Sequence, residues 1–218
     1  MSQYLSHIIL NNHFLITANR TIFWEEEKIL IVCDLHIGKS GHFRKNGIGI
    51  PQNIFKEDMQ RLFAEIQNYQ PRQLIIVGDL THSQLNKELN LFLKWRKDIE
   101  DLAIHLVVGN HDILNKIWYK NADIQLHENC FCIGSFVFTH DISTCKKMKS
   151  KYYFSGHIHP GIKIKGTGKQ TIQLPCFYFG ENDAVLPAFG KFTGTHTIKP
   201  QITDVIFAIA ENAVIRMQ

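Results

Sequence analysis

The chain has 218 residues, 44% of them hydrophobic, with 24 Lys and Arg against 20 Asp and Glu for a formal net charge of +4. That length and apolar content suit a folded core and exclude a disordered or low-complexity chain. With no Pro- or Ser-rich linker, no internal repeat and no apolar run of membrane-spanning length, one domain over residues 1–218 is expected, without a transmembrane segment.

Taken in order, the chain begins with runs predicted as strands near His7 to Leu10, His13 to Thr17, Thr21 to Trp24 and Lys28 to Cys33. A helix is predicted over Asn53 to Asn68, because Ile54, Phe55, Met59, Leu62, Phe63 and Ile66 fall on one face. Gln73 to Val77 reads as a strand, Leu85 to Asp101 as a helix carrying Leu85, Leu89, Phe92, Leu93 and Ile99, and Ala103 to Val108 as a strand. Strands joined through helices in this way need a parallel sheet. Cys130 to Thr139 reads as a hairpin turning at Gly134-Ser135. Gly161 to Lys165, Thr171 to Phe179 and Val205 to Arg216 read as extended, with turns at Gly166-Thr167-Gly168 and Ala210-Glu211-Asn212. The expected class is α/β, with two packed sheets flanked by helices.

Met1 to Ile9 lack a basic start followed by a long apolar stretch, and the five cysteines, an odd number without a C-x-x-C pair, suit a reducing compartment. A cytoplasmic protein is expected. Cys33, Cys130, Cys132 and Cys176 lie in or beside apolar segments and read as small core residues.

Chemistry-bearing residues recur where apolar runs stop. Asp34-Leu35-His36 follows Ile29 to Cys33, Gly78-Asp79 follows Leu74 to Val77, and Gly109-Asn110-His111-Asp112 follows Ile104 to Val108. Gly156-His157-Ile158-His159 comes after Tyr152 to Phe154, and His140 stands alone. A residue just past a strand end has a backbone held by the sheet and a side chain free to enter a shared crevice, so several ends can converge. Each piece also has an ordinary reading. Gly-Asp is most often a turn, Asn and Asp form loops and caps, and His157 and His159, two apart on an extended segment, also suit a solvated strand. Together they supply carboxylate and amide oxygens with imidazole nitrogens and no thiolate, a set that suits Mn, Fe, Zn or Co. Asp79, in the central fragment, is the choice for a carboxylate held between two ions about 4 Å apart.

In this order the five fragments resemble the signature of the calcineurin-like metallophosphoesterase superfamily, over residues 29–160. Leu186 through Gly194, Leu174-Pro175-Cys176-Phe177, and Gly38-Lys39 through Phe43-Arg44 to Gly47 and Pro51 resemble, more narrowly, the bacterial ligase-associated DNA damage response endonuclease family. The resemblance implies a two-sheet αββα sandwich and two divalent metal ions, with Mn first and Fe, Zn, Co or Mg as alternatives. It implies that Asp34, His36, Asp79 and His159 ligate one ion and Asp79, Asn110, His140 and His157 the other, sharing a water or hydroxide as nucleophile. His111 is then the proton donor to the leaving oxygen, with Asp112 as its orienting carboxylate. The plainer readings are a loop hydrogen bond for His111 and, for Asp112, an N-cap on a helix starting near Ile113. Lys39, Arg44 and Asn110 are the candidate substrate contacts. His82 and His42 stand near the same segments, and Lys146, Lys147, Lys149 and Lys151 form a run that reads first as a solvated face.

The activity this implies is a metal-dependent DNA endonuclease or phosphodiesterase in DNA repair, with phosphomonoesterase action at DNA ends as a further option. Single-stranded DNA is the expected partner, and a DNA ligase, a helicase and a nuclease-like repair protein are the implied companions. The alternative substrate class is small or cyclic nucleotides or phosphoproteins, and the third reading is an inactive binding scaffold. The intact ligand positions and His111 argue against the last; charge does not separate the first two. The chain departs from the narrower pattern at Thr195, where a second Gly commonly follows Phe-Thr-Gly, and at Thr81, where an apolar residue is usual.

Overall fold

The computed structural model describes residues 4–51, 53–82, 84–145, 148–166, 168 and 170–217. Seven strands form a first sheet in chain order: β1 (Tyr4–Ile9), β2 (Asn12–Thr17), β3 (Ile22–Trp24), β4 (Ile29–Val32), β5 (Gln73–Val77), β6 (Ala103–Val107) and β7 (Ile124–His127). The sheet is antiparallel from β1 to β4 and parallel from β4 to β7. Helices supply the parallel crossovers: α1 (Lys39–Lys45) and α2 (Ile54–Tyr69) after β4, α3 (Lys87–Lys97) after β5, and α4 (Lys116–Asn121) after β6.

A second sheet holds β8 (Phe131–Ile133), β9 (Phe136–Phe138), β10 (Tyr152–Ser155), β11 (Pro160–Lys165), β12 (Thr171–Phe179), β13 (Asp183–Val185), β14 (His196–Thr197), β15 (Val205–Ala210) and β16 (Ala213–Arg216). Its order is β14-β11-β12-β13-β10-β9-β8, with β15 pairing β12 and β16.

Period-two alternation sorts the apolar residues between two layers. Ile29, Ile31, Cys33, Ile75 and Val77 face the second sheet and pack with Phe136, Phe138, Phe154, Phe177 and Phe207. Leu30, Val32, Leu74 and Ile76 point the other way, onto Met59 and Leu62 of α2, Leu89 and Phe92 of α3, and Trp118 and Tyr119 of α4. Each fully buried Leu, Ile or Phe stabilises by roughly 1.5–3 kcal/mol, which is what keeps strands of four residues in place. The outer face of the second sheet carries Tyr153, whose hydroxyl accepts from the Met148 amide at 2.5 Å. Among the described residues no helix follows α4 in the chain.

The predicted strands and both long helices are present, with shifted ends. α3 starts only at Lys87, because the Asn86 side chain accepts from the amides of Glu88 and Leu89 at 3.0 and 3.4 Å. Leu85, expected on the buried face, is therefore outside the helix and 58% exposed. α1, α4, β7, β13 and β14 are not among the predicted elements; at two to seven residues they are too short to display a period. Thr167 of one predicted turn lies outside the described residues. Among the described residues no helix is long and apolar enough to cross a membrane.

Candidate metal centre

β4, β5 and β6 end side by side, and β9 and β10 end opposite them across the sandwich, so the seven expected ligands meet in one crevice. His140 is the hub. Its Nδ1 lies 3.6 Å from Asp34 Oδ1, and its Nε2 lies 3.5 Å from Asp79 Oδ2, 3.0 Å from Asn110 Oδ1 and 3.1 Å from His157 Nδ1. On the other side, His159 Nε2 is 3.4 Å from Asp34 Oδ2 and His36 Nε2 is 3.9 Å from Asp79 Oδ2. Asp79 Oδ2 thus stands between the His36 and His140 rings. Two overlapping groups have the spacing of metal ligands, Asp34-His36-His159 and Asp34-Asp79-His140.

The backbone at this crevice is unusual. Asp34, His36, Asp79, His157 and His159 have φ of 49°, 51°, 46°, 69° and 48°, the left-handed region, which costs an L-residue roughly 1–2 kcal/mol. Neighbouring hydrogen bonds hold it: Asp34 N to Gly78 O at 3.2 Å, His36 N to Asp79 O at 2.9 Å and Ile37 N to Leu80 O at 2.9 Å. The His157-Ile158-His159 segment is not extended as expected. It turns, with Ile158 N donating to Gly156 O at 2.8 Å, and the turn rather than strand alternation sends both rings inward. Gly156 is required by crowding, since a Cβ there would lie 1.9 Å from Cys33 Sγ and 2.8 Å from Asp34 Oδ2. A Cβ on Gly78, at φ 80°, would meet His140 Nδ1 at 1.9 Å.

Asp34 and Asp79 are buried, whereas Asn110 and His157 are exposed, so the crevice opens on one side into a cleft of about 310 Å³ that Asp141 also lines. Burial raises the Asp34 carboxyl well above its usual range. Burial first, then Lys39 and neighbouring imidazoles, pushes His36 down to about 2, and the same causes bring His159 to about 4. These rings are neutral at physiological pH, which is the form that ligates. Asp34 Oδ1, both nitrogens of His36, His140 Nδ1 and His159 Nε2 are buried without a hydrogen-bond partner. Each such group costs about 1–3 kcal/mol, and shared cations would satisfy them together. The donor chemistry fits a divalent ion of the Mn, Fe, Zn or Co kind. Cys33 is buried as expected, but its thiol also lies 2.7 Å from Asp34 Oδ2, a contact that nothing in the sequence signals.

His111 adjoins this centre: its amide donates to Asp79 Oδ1 at 2.8 Å, and its ring lies 5.3 Å from that of His36. Asp112 has neither expected role. Its Oδ1 accepts from the Thr81 amide and hydroxyl at 2.9 and 3.1 Å, and its Oδ2 accepts from the Gly109 amide at 3.0 Å, so it ties the β5 and β6 loops together. Burial lifts its carboxyl to about 6. The helix cap is instead Asn115, whose Oδ1 accepts from the Ile117 amide at 2.9 Å. Thr81 is accommodated because its hydroxyl also meets the Tyr119 hydroxyl at 3.2 Å. The ring against His111 is His82, 4.5 Å away and tilted by 32°.

Lys39 is half-buried and lies within reach of the Asp34 and Asp79 charges, which offset part of the lowering that burial imposes. Arg44 is committed elsewhere: Nη2 lies 2.7 Å from Glu88 Oε1, and Nη1 reaches the Ile50 and Pro51 carbonyls at 3.5 and 3.4 Å. It fastens α1 to α3, a correction to its expected role on substrate. Lys151 of the lysine run donates to the Gly134 carbonyl at 2.6 Å, and Lys146 and Lys147 lie outside the described residues.

The Leu186 to Gly194 segment works as a strap on the ligand loops. Leu186 N donates to Ser155 O at 2.8 Å, Phe189 N to Cys33 O at 2.7 Å and Gly190 N to Asp34 O at 3.2 Å. The Arg61 guanidinium sits 4.0 Å from the Phe189 ring centre and bonds Asp58 at 2.8 Å. Thr195 is held by Gln173 Nε2, which donates to its hydroxyl at 2.8 Å.

A buried group of candidate metal ligands open to solvent at one side, set at the ends of strands from two packed sheets, is an arrangement suited to a metallohydrolase. The chain belongs to the calcineurin-like phosphoesterase family, whose model matches residues 27–161. It is a metal-dependent phosphoester hydrolase, and its family uses divalent metals. The fold is similar to the crystal structure of the Pseudomonas putida nuclease MPE, at TM-score 0.83 and 26% identity, over 98% of this chain and 100% of that one. The E. coli phosphoesterase Yfce aligns at TM-score 0.46 and 11% identity, over 86% of this chain and 96% of that one. Comparison with curated proteins finds no match.

Proposed function

We propose that this chain is a DNA nuclease, hydrolysing phosphodiester bonds of single-stranded DNA during repair with two divalent ions, Mn²⁺ first among them. The observation that carries the reading is the similarity along the whole chain to the Pseudomonas putida nuclease, rather than over the ligand motifs alone. On family resemblance Asp34, His36, Asp79 and His159 would hold one ion and Asp79, Asn110, His140 and His157 the other. Bound dications supply Lewis-acid activation of water and stabilisation of charge on the phosphoryl oxygens. The chain supplies the rest. An imidazole nitrogen of His111 gives a proton to the leaving oxygen, which as a bare alkoxide departs poorly. The His82 ring restrains His111, and the Lys39 ammonium holds a phosphate oxygen.

A second cleft, of about 410 Å³ and lined by His42, Lys45, Asn46, Gln84, Asn86 and Ile113, is reached from His111 by way of His82 and His42. The cleft beside the centre and a second one leading on past His82 and His42 favour a polynucleotide, whose flanking nucleotides run beyond the scissile phosphate, over a small nucleotide. On family resemblance the companions are a DNA ligase, a helicase and a nuclease-like repair protein. The test is a panel in Mn²⁺: single-stranded and duplex DNA, a 3′-phosphate end, cyclic nucleotides, bis-p-nitrophenyl phosphate and p-nitrophenyl phosphate. Cleavage of single-stranded DNA ahead of all nucleotide substrates is expected. Turnover of cyclic nucleotides with intact DNA would overturn the nuclease reading.

A further inference from the structure

The clefts of about 310 and 410 Å³ differ in charge. Glu128 and Asp141 line the first, beside His140 and His157, with no Lys or Arg among its lining residues. Lys45 lines the second, with no carboxylate. A polyanion enters the second more readily, because a negative wall repels phosphate and a lysine attracts it. Lys45 is exposed in the last turn of α1, whereas the neighbouring Arg44 is spent on Glu88.

The loops that carry His111 and His82 also build this second cleft. Ile113 follows His111 by two residues and its amide donates to His111 O at 2.9 Å, while Gln84 follows His82 by two. From His111 the rings of His82 and His42 form a ramp into the cleft, with centroids 4.5 Å apart at the first step and 5.9 Å at the second. His42 is exposed, and Asn46 Nδ2 donates to its carbonyl at 2.9 Å and meets its Nε2 at 3.3 Å. Ile113 adds an exposed apolar wall. Asn86 is committed elsewhere, through the Glu88 and Leu89 amides and the Gly38 carbonyl, but Gln84 is exposed and can both donate and accept. An aromatic face, an apolar side chain, an amide and a cation are what one nucleotide needs for its base, its base edge and its phosphate.

We propose that this cleft is the leaving-side subsite of the nuclease. The nucleotide joined to the oxygen that His111 protonates lies along His82, with its base on His42 and Ile113, its base edge at Gln84 and its next phosphate at Lys45. The inference rests on the nuclease reading and on His111 as proton donor. Its direction follows from in-line displacement: the attacking and leaving oxygens lie on opposite sides of phosphorus, so the acid and everything beyond it stand on the leaving side. Water adds to phosphorus, the P–O bond to that nucleotide breaks, and the His111 proton goes to the departing oxygen, to be replaced from the attacking water through solvent. Stacking on a ring accepts any base, so the subsite contributes affinity without sequence preference.

Two thymidine pentanucleotides of equal charge test the subsite on the Mn²⁺-loaded protein. Each holds one phosphodiester among hydrolysis-resistant N3′→P5′ phosphoramidate links, placed so that one nucleotide stands on one side and four on the other. Mass spectrometry of the products identifies the leaving side as the fragment that ends in hydroxyl at the cleaved bond. The isomer with four nucleotides on that side is expected to have the higher kcat/KM, by about 10-fold. That ratio should fall toward unity in His42→Ala and in Lys45→Glu; it compares two substrates on one protein, so a loss of folded or metal-loaded enzyme does not move it. A wild-type ratio at or below unity, with both isomers cleaved, would overturn the subsite and leave the nuclease reading standing. A ratio unchanged in both variants would overturn its assignment to this cleft. Turnover of cyclic nucleotides with both pentanucleotides intact would overturn the nuclease reading and the subsite together.

Discussion

Replacing Gly156 by alanine tests whether the ligand loops are packed as tightly as the structure has them. The new Cβ would lie 1.9 Å from Cys33 Sγ, where ordinary contact begins at 3.4 Å. The sulfur has nowhere to go, because it already meets Asp34 Oδ2 at 2.7 Å and Val77 O at 3.1 Å. Overpacking of this kind costs about 1–3 kcal/mol, or a few degrees of Tm each kcal/mol in a chain of this size. The strain passes to Asp34, and a 1 Å misplacement of a working group can cost about 10²-fold in rate. Urea unfolding and Mn²⁺-dependent hydrolysis of bis-p-nitrophenyl phosphate measure the two effects. Adding Cys33→Ala removes the sulfur and should restore most of the stability but only part of the rate, since Asp34 Oδ2 remains 2.8 Å from the new Cβ. A Gly156→Ala protein within about 0.5 kcal/mol of wild type, or one whose stability Cys33→Ala fails to relieve, would refute the packing argument.

Four further outcomes are expected. Asp79→Asn removes a negative charge from a site whose dications need neutralising, so both ions should bind more weakly and hydrolysis should be lost; two tightly held ions with near-native turnover would exclude Asp79 as the shared ligand. His111→Ala should cost about 10²- to 10⁴-fold on DNA and much less on a p-nitrophenolate leaving group, and equal losses would mean that His111 only positions phosphate. Lys39→Ala should flatten the salt dependence of DNA cleavage while Arg44→Ala leaves it unchanged and lowers stability, because Arg44 is spent on Glu88; the reverse pattern would return Arg44 to the substrate path. In metal-free protein Asp112 titrates at about 6 against the usual 3.8, so its contribution to stability is present below 3.8 and lost as pH rises through about 6, a change of about 3 kcal/mol that Asp112→Asn should abolish in urea unfolding curves; an unchanged pH slope in the variant would place the effect elsewhere.

The candidate ligands other than His140 were legible because each of their fragments follows an apolar run, and a strand end is a local property. The two-sheet fold was legible too, through long runs with a clear period. What stayed hidden depends on contacts between distant segments. Asp112 looks like the partner of its neighbour His111, yet its carboxylate is claimed by Thr81, 31 positions away. Arg44 follows the first ligand fragment closely, yet the nearest carboxylate is Glu88, 44 positions on. His157 and His159 do converge, but through left-handed turns that no two-residue spacing announces.

The strap from Leu186 to Gly190 bears on how such an enzyme can diverge. The family match ends at residue 161, yet the backbone that presents Asp34 is fixed by amides from Phe189 and Gly190. Residues 27–161 therefore carry the ligands and only part of what aims them, and transplanting that stretch alone into another scaffold would leave the Asp34 loop without its outer support. Conversely, substitutions in the strap can retune the angle of a metal ligand while leaving every ligand unchanged. A lineage of related hydrolases can in this way acquire new preferences from a region that looks, in the chain, like a remote tail.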